Sequence, residues 1–202
     1  MTVIAMKKEH KRHNRIIKLF TVILSAVLIC AVTAGCSESG AEVKVTEDLE
    51  SMRYVELDEN VSEEINSMLS DQGREFFEMF LASAGEFEYE IIDTDKGGGD
   101  ETEETVTVRI RTYPFASEYL RTWTDYLESS EDDEYDDAKL YEGLFRNLSS
   151  LNQKDYIADV EINCYSDEEG SWVTDARSNP DLLDAILGGM LNEIVGLAGV
   201  AE

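Results

Sequence analysis

Residues 86–112 read EFEYEIIDTDKGGGDETEETVTVRIRT, and two runs of alternation within them decide the fold. Phe87, Tyr89 and Ile91 alternate with Glu86, Glu88 and Glu90. In an extended chain successive side chains leave on opposite sides, so this pattern describes a strand with one buried and one wet face. Val106, Val108 and Ile110 alternate in the same way with Thr107, Arg109 and Arg111. Gly97-Gly98-Gly99 lies between the two runs, which are expected to pair as an antiparallel hairpin.

Upstream of this hairpin the period changes from two to that of a helix. Phe76, Phe77, Phe80 and Leu81 form an apolar stripe that reads as core. Ser62, followed by Glu63 and Glu64, suits a helix start, and Ile65, Met68 and Leu69 continue its stripe; Gly73 is expected to break or bend it. Downstream, Tyr113-Pro114 marks a break. Tyr119, Leu120, Trp123, Tyr126 and Leu127 then form one helical face, and Leu140, Tyr141, Leu144, Phe145 and Leu148 another, with the acidic run Glu131–Asp137 as the exposed connection. A third strand is expected over about 155–165, a turn at Asp167-Glu168-Glu169-Gly170, and a fourth strand opening at Trp172-Val173-Thr174. Asn179 as cap with Pro180 at the first helical position starts a final helix whose apolar face holds Leu183, Ile186, Leu187, Met190, Leu191 and Ile194. The order predicts an α+β fold, with a curved antiparallel sheet of about four strands in two hairpins packed on one side by helices.

The amino-terminal segment has a different character. Lys7, Lys8, Lys11, Arg12, Arg15 and Lys18 sit beside one acid, Glu9, and the apolar stretch LFTVILSAVLICAVTA follows from Leu19 to Ala34. These are the basic and apolar regions of an export signal; at sixteen residues the apolar stretch falls short of the roughly 20 that span a bilayer comfortably, which leaves a tight signal anchor as the alternative. The stretch ends Val32-Thr33-Ala34-Gly35-Cys36. This resembles the lipobox of bacterial lipoproteins, with Thr33 in place of the usual leucine three positions before the cysteine. The resemblance implies that the Cys36 sulfur is alkylated by diacylglycerol, that cleavage removes residues 1–35, and that the chain is held on the outer face of the cell membrane, as in a Gram-positive bacterium. Two acyl chains provide the double signal that stable anchoring requires. Val32 and Ala34 also satisfy an ordinary signal peptidase, whose action would release a soluble protein. Residues 36–58 are polar and acidic and read as a tether, with Met52, Tyr54, Val55 and Leu57 able to reach the domain; residues 59–202 form that single domain.

Charge and residue inventory remove whole classes of function. Beyond residue 35 there remain 11 basic and 43 acidic residues, a net charge of −32 over 167 residues. Nucleic acid is therefore not an expected partner, because phosphate binding needs a basic surface. Both histidines, His10 and His13, lie in the leader. Without them, Ser-His-Asp and Cys-His catalysis and His-ligated metals have no residues to work with. Cys30 leaves with the signal and Cys36 carries lipid, so Cys164 has no disulfide partner; its place in the alternating series Tyr156, Ala158, Val160, Ile162, Cys164 marks a buried core thiol.

Two acidic features bear on chemistry. Asp93 to Glu104 partly fits a twelve-residue calcium loop, with oxygens at Asp93, Asp95 and Glu104 and Gly98 at the turn. Gly97 replaces a preferred ligand, Asp100 replaces the apolar eighth residue, and strands flank the loop where an EF-hand needs helices. It reads as an acidic hairpin loop. A pair of carboxylates could serve as general acid and base, but nothing in the sequence selects one pair among the acids. No catalytic residue, metal ligand or cofactor-binding residue is assigned.

Together the lipobox at Cys36, the junction GREFFEMFLASAGEFEYEII, the strand TVTVRIRTYPF leading into a helix, and the Trp172 strand followed by NPDLLDAILGGML resemble small bacterial lipoproteins with NTF2-like or cystatin-like domains. The resemblance covers roughly residues 60–195. It implies a cone-shaped α+β domain with a pocket between sheet and helices, and no reaction, since this fold class hosts many functions. The function expected from these readings is a noncatalytic module that binds an envelope protein or small ligand while anchored through lipid on Cys36. A hydrolase or isomerase using pocket carboxylates is the alternative.

Overall fold

The computed structural model describes residues 40–54, 59–96, 102–129, 137–167 and 169–199. The leader, Cys36, the middle of the glycine-rich loop and most of the acidic run Glu131–Asp137 lie outside them.

Helix α1 spans Ala41–Met52, in a segment expected to be tether. Ala41, Val45, Leu49 and Met52 fall on one side of this helix and are all buried. Helical spacing overrides acidic composition here, because four apolar residues one turn apart make a continuous stripe, while Glu42, Glu47 and Glu50 stay exposed and Asp48 is drawn in. Among the described residues the packed structure therefore includes Ala41 onward. Tyr54, by contrast, stays exposed. Arg53, at the end of α1, donates through Nη1 to the carbonyls of Phe87 (2.6 Å) and Gly85 (3.3 Å) and lies over the Phe87 ring, 4.8 Å from its centroid.

Helix α2 spans Glu59–Met68 and α3 spans Asp71–Gly85. The first starts ahead of the Ser62 expected to open it, and the break comes at Leu69-Ser70 rather than at Gly73. Ser70 decides this: its hydroxyl accepts the Gly73 N–H at 3.0 Å, capping α3 with Gly73 in its first turn.

Strands β1 (Glu88–Lys96) and β2 (Glu103–Thr112) form the expected antiparallel hairpin, with Tyr89 opposite Ile110 and Lys96 opposite Glu104. The register slips by one residue between Ile91 and Asp93, a bulge that bends β1. Helix α4 (Phe115–Ser129) and helix α5 (Asp137–Ser149) follow, then β3 (Tyr156–Ser166) and the short β4 (Trp172–Thr174). The four strands make one antiparallel sheet in the order β1-β2-β3-β4. A 3-10 turn at Ala176–Ser178 leads to α6 (Pro180–Ile186) and α7 (Met190–Gly199).

The single terminal helix expected after Asn179 is thus divided. Asn179 caps α6 as expected, its side-chain oxygen accepting from the N–H groups of Asp181 (3.0 Å) and Leu182 (3.1 Å). Gly188 and Gly189, however, take φ values of 58° and 82°, which end the first helix and redirect the chain. A side chain at Gly188 would sit 2.1 Å from the Tyr113 carbonyl oxygen, so the backbone here packs against backbone.

Two apolar cores result. One lies between the inner face of the sheet and the helices α1 and α6, holding Phe87, Val106, Val108, Ile110, Val160, Ile162 and Cys164 against Val45, Leu49 and Leu182. The other is built from α2, α3, α4, α5 and α7, with Phe77 and Phe145 packed edge to face at 4.9 Å and Phe80 and Phe115 at 5.2 Å. Tyr113 and Phe115, at the end of β2 and the start of α4, carry the chain from one to the other.

Candidate functional site

Among the described residues the helices that cover the sheet do so on the Val106-Val108-Ile110 side, and none lies on its other, open face. The register sets out that face as rungs. At the hairpin-tip end, Glu103, Tyr165 and Val173 stand side by side; next come Asp95, Thr105 and Asn163, then Asp93, Thr107 and Glu161. Glu90, Arg109 and Asp159 form the following rung, and Glu88, Arg111 and Ile157 the last.

This face has both charge order and apolar ends. Arg109 makes a two-pronged bond to Asp159, Nε to Oδ1 at 2.7 Å and Nη2 to Oδ2 at 2.8 Å. That bond raises the affinity of the guanidinium for its proton and holds the Asp159 carboxyl below the usual carboxylate range. Lys154 reaches Glu88 at 3.1 Å and lies over the Tyr113 ring, whose hydroxyl donates to Glu86 at 2.8 Å. Ile157, Tyr165 and Val173 are 51%, 47% and 52% exposed. Tyr165 and Val173 stand side by side as cross-strand partners, and Ile157 marks the opposite end of the face.

The acidic residues of the hairpin loop and the lone thiol are placed less favourably for chemistry. Asp93 and Asp95 leave the hairpin on the open face, whereas Glu104 pairs with Lys96 and points to the other side. Asp93 and Glu104 therefore cannot converge as calcium ligands while the ladder is intact. Asp100 and Glu101 lie outside the described residues, as does the acidic run up to Asp136. Among the described residues no group of three or more His, Cys, Asp or Glu side chains is placed to hold a metal ion. Cys164 is a buried free thiol on the inner face, pushed up to about 11 by burial and by the nearby acids Asp175, Glu104 and Asp48. A thiol so reluctant to ionise is a poor nucleophile.

Among the described residues two carboxylates are buried, and each is already taken. Asp48 accepts from Lys44 Nζ at 2.8 Å and from the Thr174 hydroxyl at 2.6 Å, tying α1 to β4. Asp184 accepts from the Asn192 backbone N–H at 3.0 Å and its Nδ2 at 2.7 Å, tying α6 to α7. Their partners are structural, and they belong to different joints of the fold.

Sequence reasoning identified the wet faces of β1 and β2 but missed the Arg109–Asp159 bond and the Tyr165/Val173 pair. The first needed the register of two strands more than forty residues apart, which alternation alone does not supply. Among the described residues no helix is long and apolar enough to cross a membrane. Comparison with protein-family models, with curated proteins and with solved structures found no match to this chain.

Proposed function

We propose that the chain is an extracytoplasmic lipoprotein, anchored through diacylglycerol on Cys36, whose domain is a noncatalytic interaction module presenting the open face of its sheet. The observation that carries the anchor is the basic and apolar leader ending in Ala34-Gly35-Cys36. What supports the module is the one-sided sheet: helices take up one face, and the other offers a rung of paired charges between apolar ends. The carboxylate-enzyme alternative gains no support from the buried acids, since Asp48 and Asp184 are engaged separately by Lys44, Thr174 and Asn192. We also assign the domain to the NTF2-like or cystatin-like class, on the strength of a bent antiparallel sheet with an amino-terminal helix laid across its inner face. An envelope protein or a small ligand meets the open face.

One preparation tests both parts. Mass spectrometry of the chain extracted from membranes is expected to show residues 1–35 absent and a diacylglycerol thioether on Cys36, and Cys36→Ala is expected to leave the membrane fraction. A photo-crosslinking residue at Arg111 in living cells is expected to give a discrete adduct that the same residue at exposed Met79, on α3, does not give. An intact leader with a bare Cys36 would end the anchor reading, and equal labelling from both positions would end the choice of face.

A further inference from the structure

We infer that the domain is seated directly on the membrane that holds its lipid, with the hairpin-tip end of the sheet against the headgroups and the Ile157 end facing away. This rests on the reading of Cys36 as the lipidated residue. The partner is the outer lipid leaflet itself.

Reach comes first. Ala41 is 1% exposed and belongs to α1, so the chain is fixed in the domain from that residue on. The five residue steps from Cys36 to Ala41 span at most about 18 Å when fully extended. The headgroup layer takes up roughly 5–8 Å on each side of a bilayer. Strand β3 alone has 11 residues, roughly 36 Å. Ala41 therefore lies no more than about 10–13 Å above the headgroup layer, a fraction of the body's own length, so the anchored end is held at the surface.

Direction comes second. Thr94 donates to Glu42 at 2.8 Å and Tyr89 donates to Glu50 at 2.9 Å, so α1 runs antiparallel to β1 and its first residue lies toward the hairpin tip. The anchor therefore pulls on that end. The turn from Asp167 to Ser171, which joins β3 to β4, lies at the same end.

The surface itself comes third. Tyr165 and Val173 are cross-strand partners on the open face at this end, and Val43, in the first turn of α1, is also exposed. A tyrosine with an apolar ring and a polar tip suits headgroup depth. Charge does not attract this end to the membrane: Glu42, Asp95, Glu103, Asp167 and Glu169 surround it, and anionic lipid repels them. The seat is set by reach and apolar contact, while the acyl chains supply retention. It follows that a partner arriving from outside meets the Arg109, Arg111 and Ile157 end.

Site-specific quenching tests this on the mature lipoprotein in phosphatidylcholine vesicles carrying a headgroup nitroxide. Val173→Cys and Ile157→Cys each place a fluorophore at an already exposed position, about 26 Å apart along the sheet by strand rise. Lipidated Cys36 has no thiol, and buried Cys164 resists labelling. Quenching is expected to be several-fold stronger at 173 than at 157. A flexible Gly/Ser segment of about 20 residues inserted after Ser39 is expected to abolish most of that difference. Equal quenching at the two sites, or the reverse order, in a sample whose Cys36 lipid is verified by mass overturns the seat alone. A sample lacking that lipid and failing to bind vesicles overturns the anchor reading and the seat together.

Discussion

Gly188 illustrates how much a single residue can decide. It combines a φ of 58° with a Cβ position 2.1 Å from the Tyr113 carbonyl oxygen and 2.8 Å from the Phe115 nitrogen, so a methyl group is both strained and blocked. Gly188→Ala is expected to lower stability by about 3 kcal/mol, read from the urea midpoint. Gly143 provides the contrast: it lies within α5 with nothing within 4 Å of its Cβ position. There alanine is expected to raise stability by about 0.5–1 kcal/mol; similar effects at both glycines would contradict the packing. At Cys164, burial is expected to make the native chain react with an aromatic disulfide reagent at pH 8 far more slowly than the urea-unfolded chain. Rapid native labelling would show the inner face of β3 to be open.

The elements differ in how plainly the sequence announces them, and α1 is the informative failure. Its buried set Ala41, Val45, Leu49 and Met52 keeps helical spacing, but Lys44, Glu47, Asp48 and Glu50 between them make the stretch read as solvated. Asp48 adds to the disguise, because its burial depends on Thr174, 126 residues away. Leu49→Ala is expected to cost about 2–5 kcal/mol, whereas the same change in a tether would cost nothing measurable. Strands β2 and β3 and the first part of β1 were legible because alternation there is local and unbroken, whereas the bulge after Ile91 interrupts it in β1; the α6 start was legible because Asn179-Pro180 is a local signal. The division between α6 and α7 was not, since it depends on the close approach of Gly188 to Tyr113. Asn179 also joins elements, donating through Nδ2 to the Glu161 carbonyl of β3 at 2.8 Å. Asn179→Ala is therefore expected to cost at least the roughly 1–2 kcal/mol of a lost cap, more than Ser70→Ala, whose hydroxyl caps one N–H of α3 and donates to the Glu142 carboxylate in an exposed hydrogen bond of 3.0 Å. The candidate site followed the same division: Cys36 stands out from its immediate neighbours, while the open face emerges only when β2 and β3 are brought into register.

For the whole molecule, the excess of acids over bases makes folding a contest with self-repulsion. Added salt shortens the screening length from about 30 Å at 0.01 M to about 8 Å at 0.15 M, and the thermal midpoint is expected to rise across that range. Alkali acts in the opposite sense, adding negative charge where the fold least tolerates it. Burial pushes the Tyr119 hydroxyl from an ordinary 10.0 to about 12, and the Cys164 thiol from 9.0 to about 11. Tyr89 and Tyr156 shift upward mainly for the same reason, and Tyr113 chiefly because it donates to Glu86. In each case the folded chain holds its proton more tightly than the unfolded chain does. That contribution is complete below the ordinary value and disappears as the pH climbs through the folded one. Stability is therefore expected to fall between pH 9.0 and about 12. Tyr119 alone accounts for roughly 2–3 kcal/mol of the loss. Tyr119→Phe removes that ionisation, so the stability of the variant relative to the parent chain should climb from pH 10 to 12 in denaturant titrations. A difference that stays level across this window would mean that the hydroxyl is solvated, and that the core between α4 and α5 is looser than its aromatic packing implies.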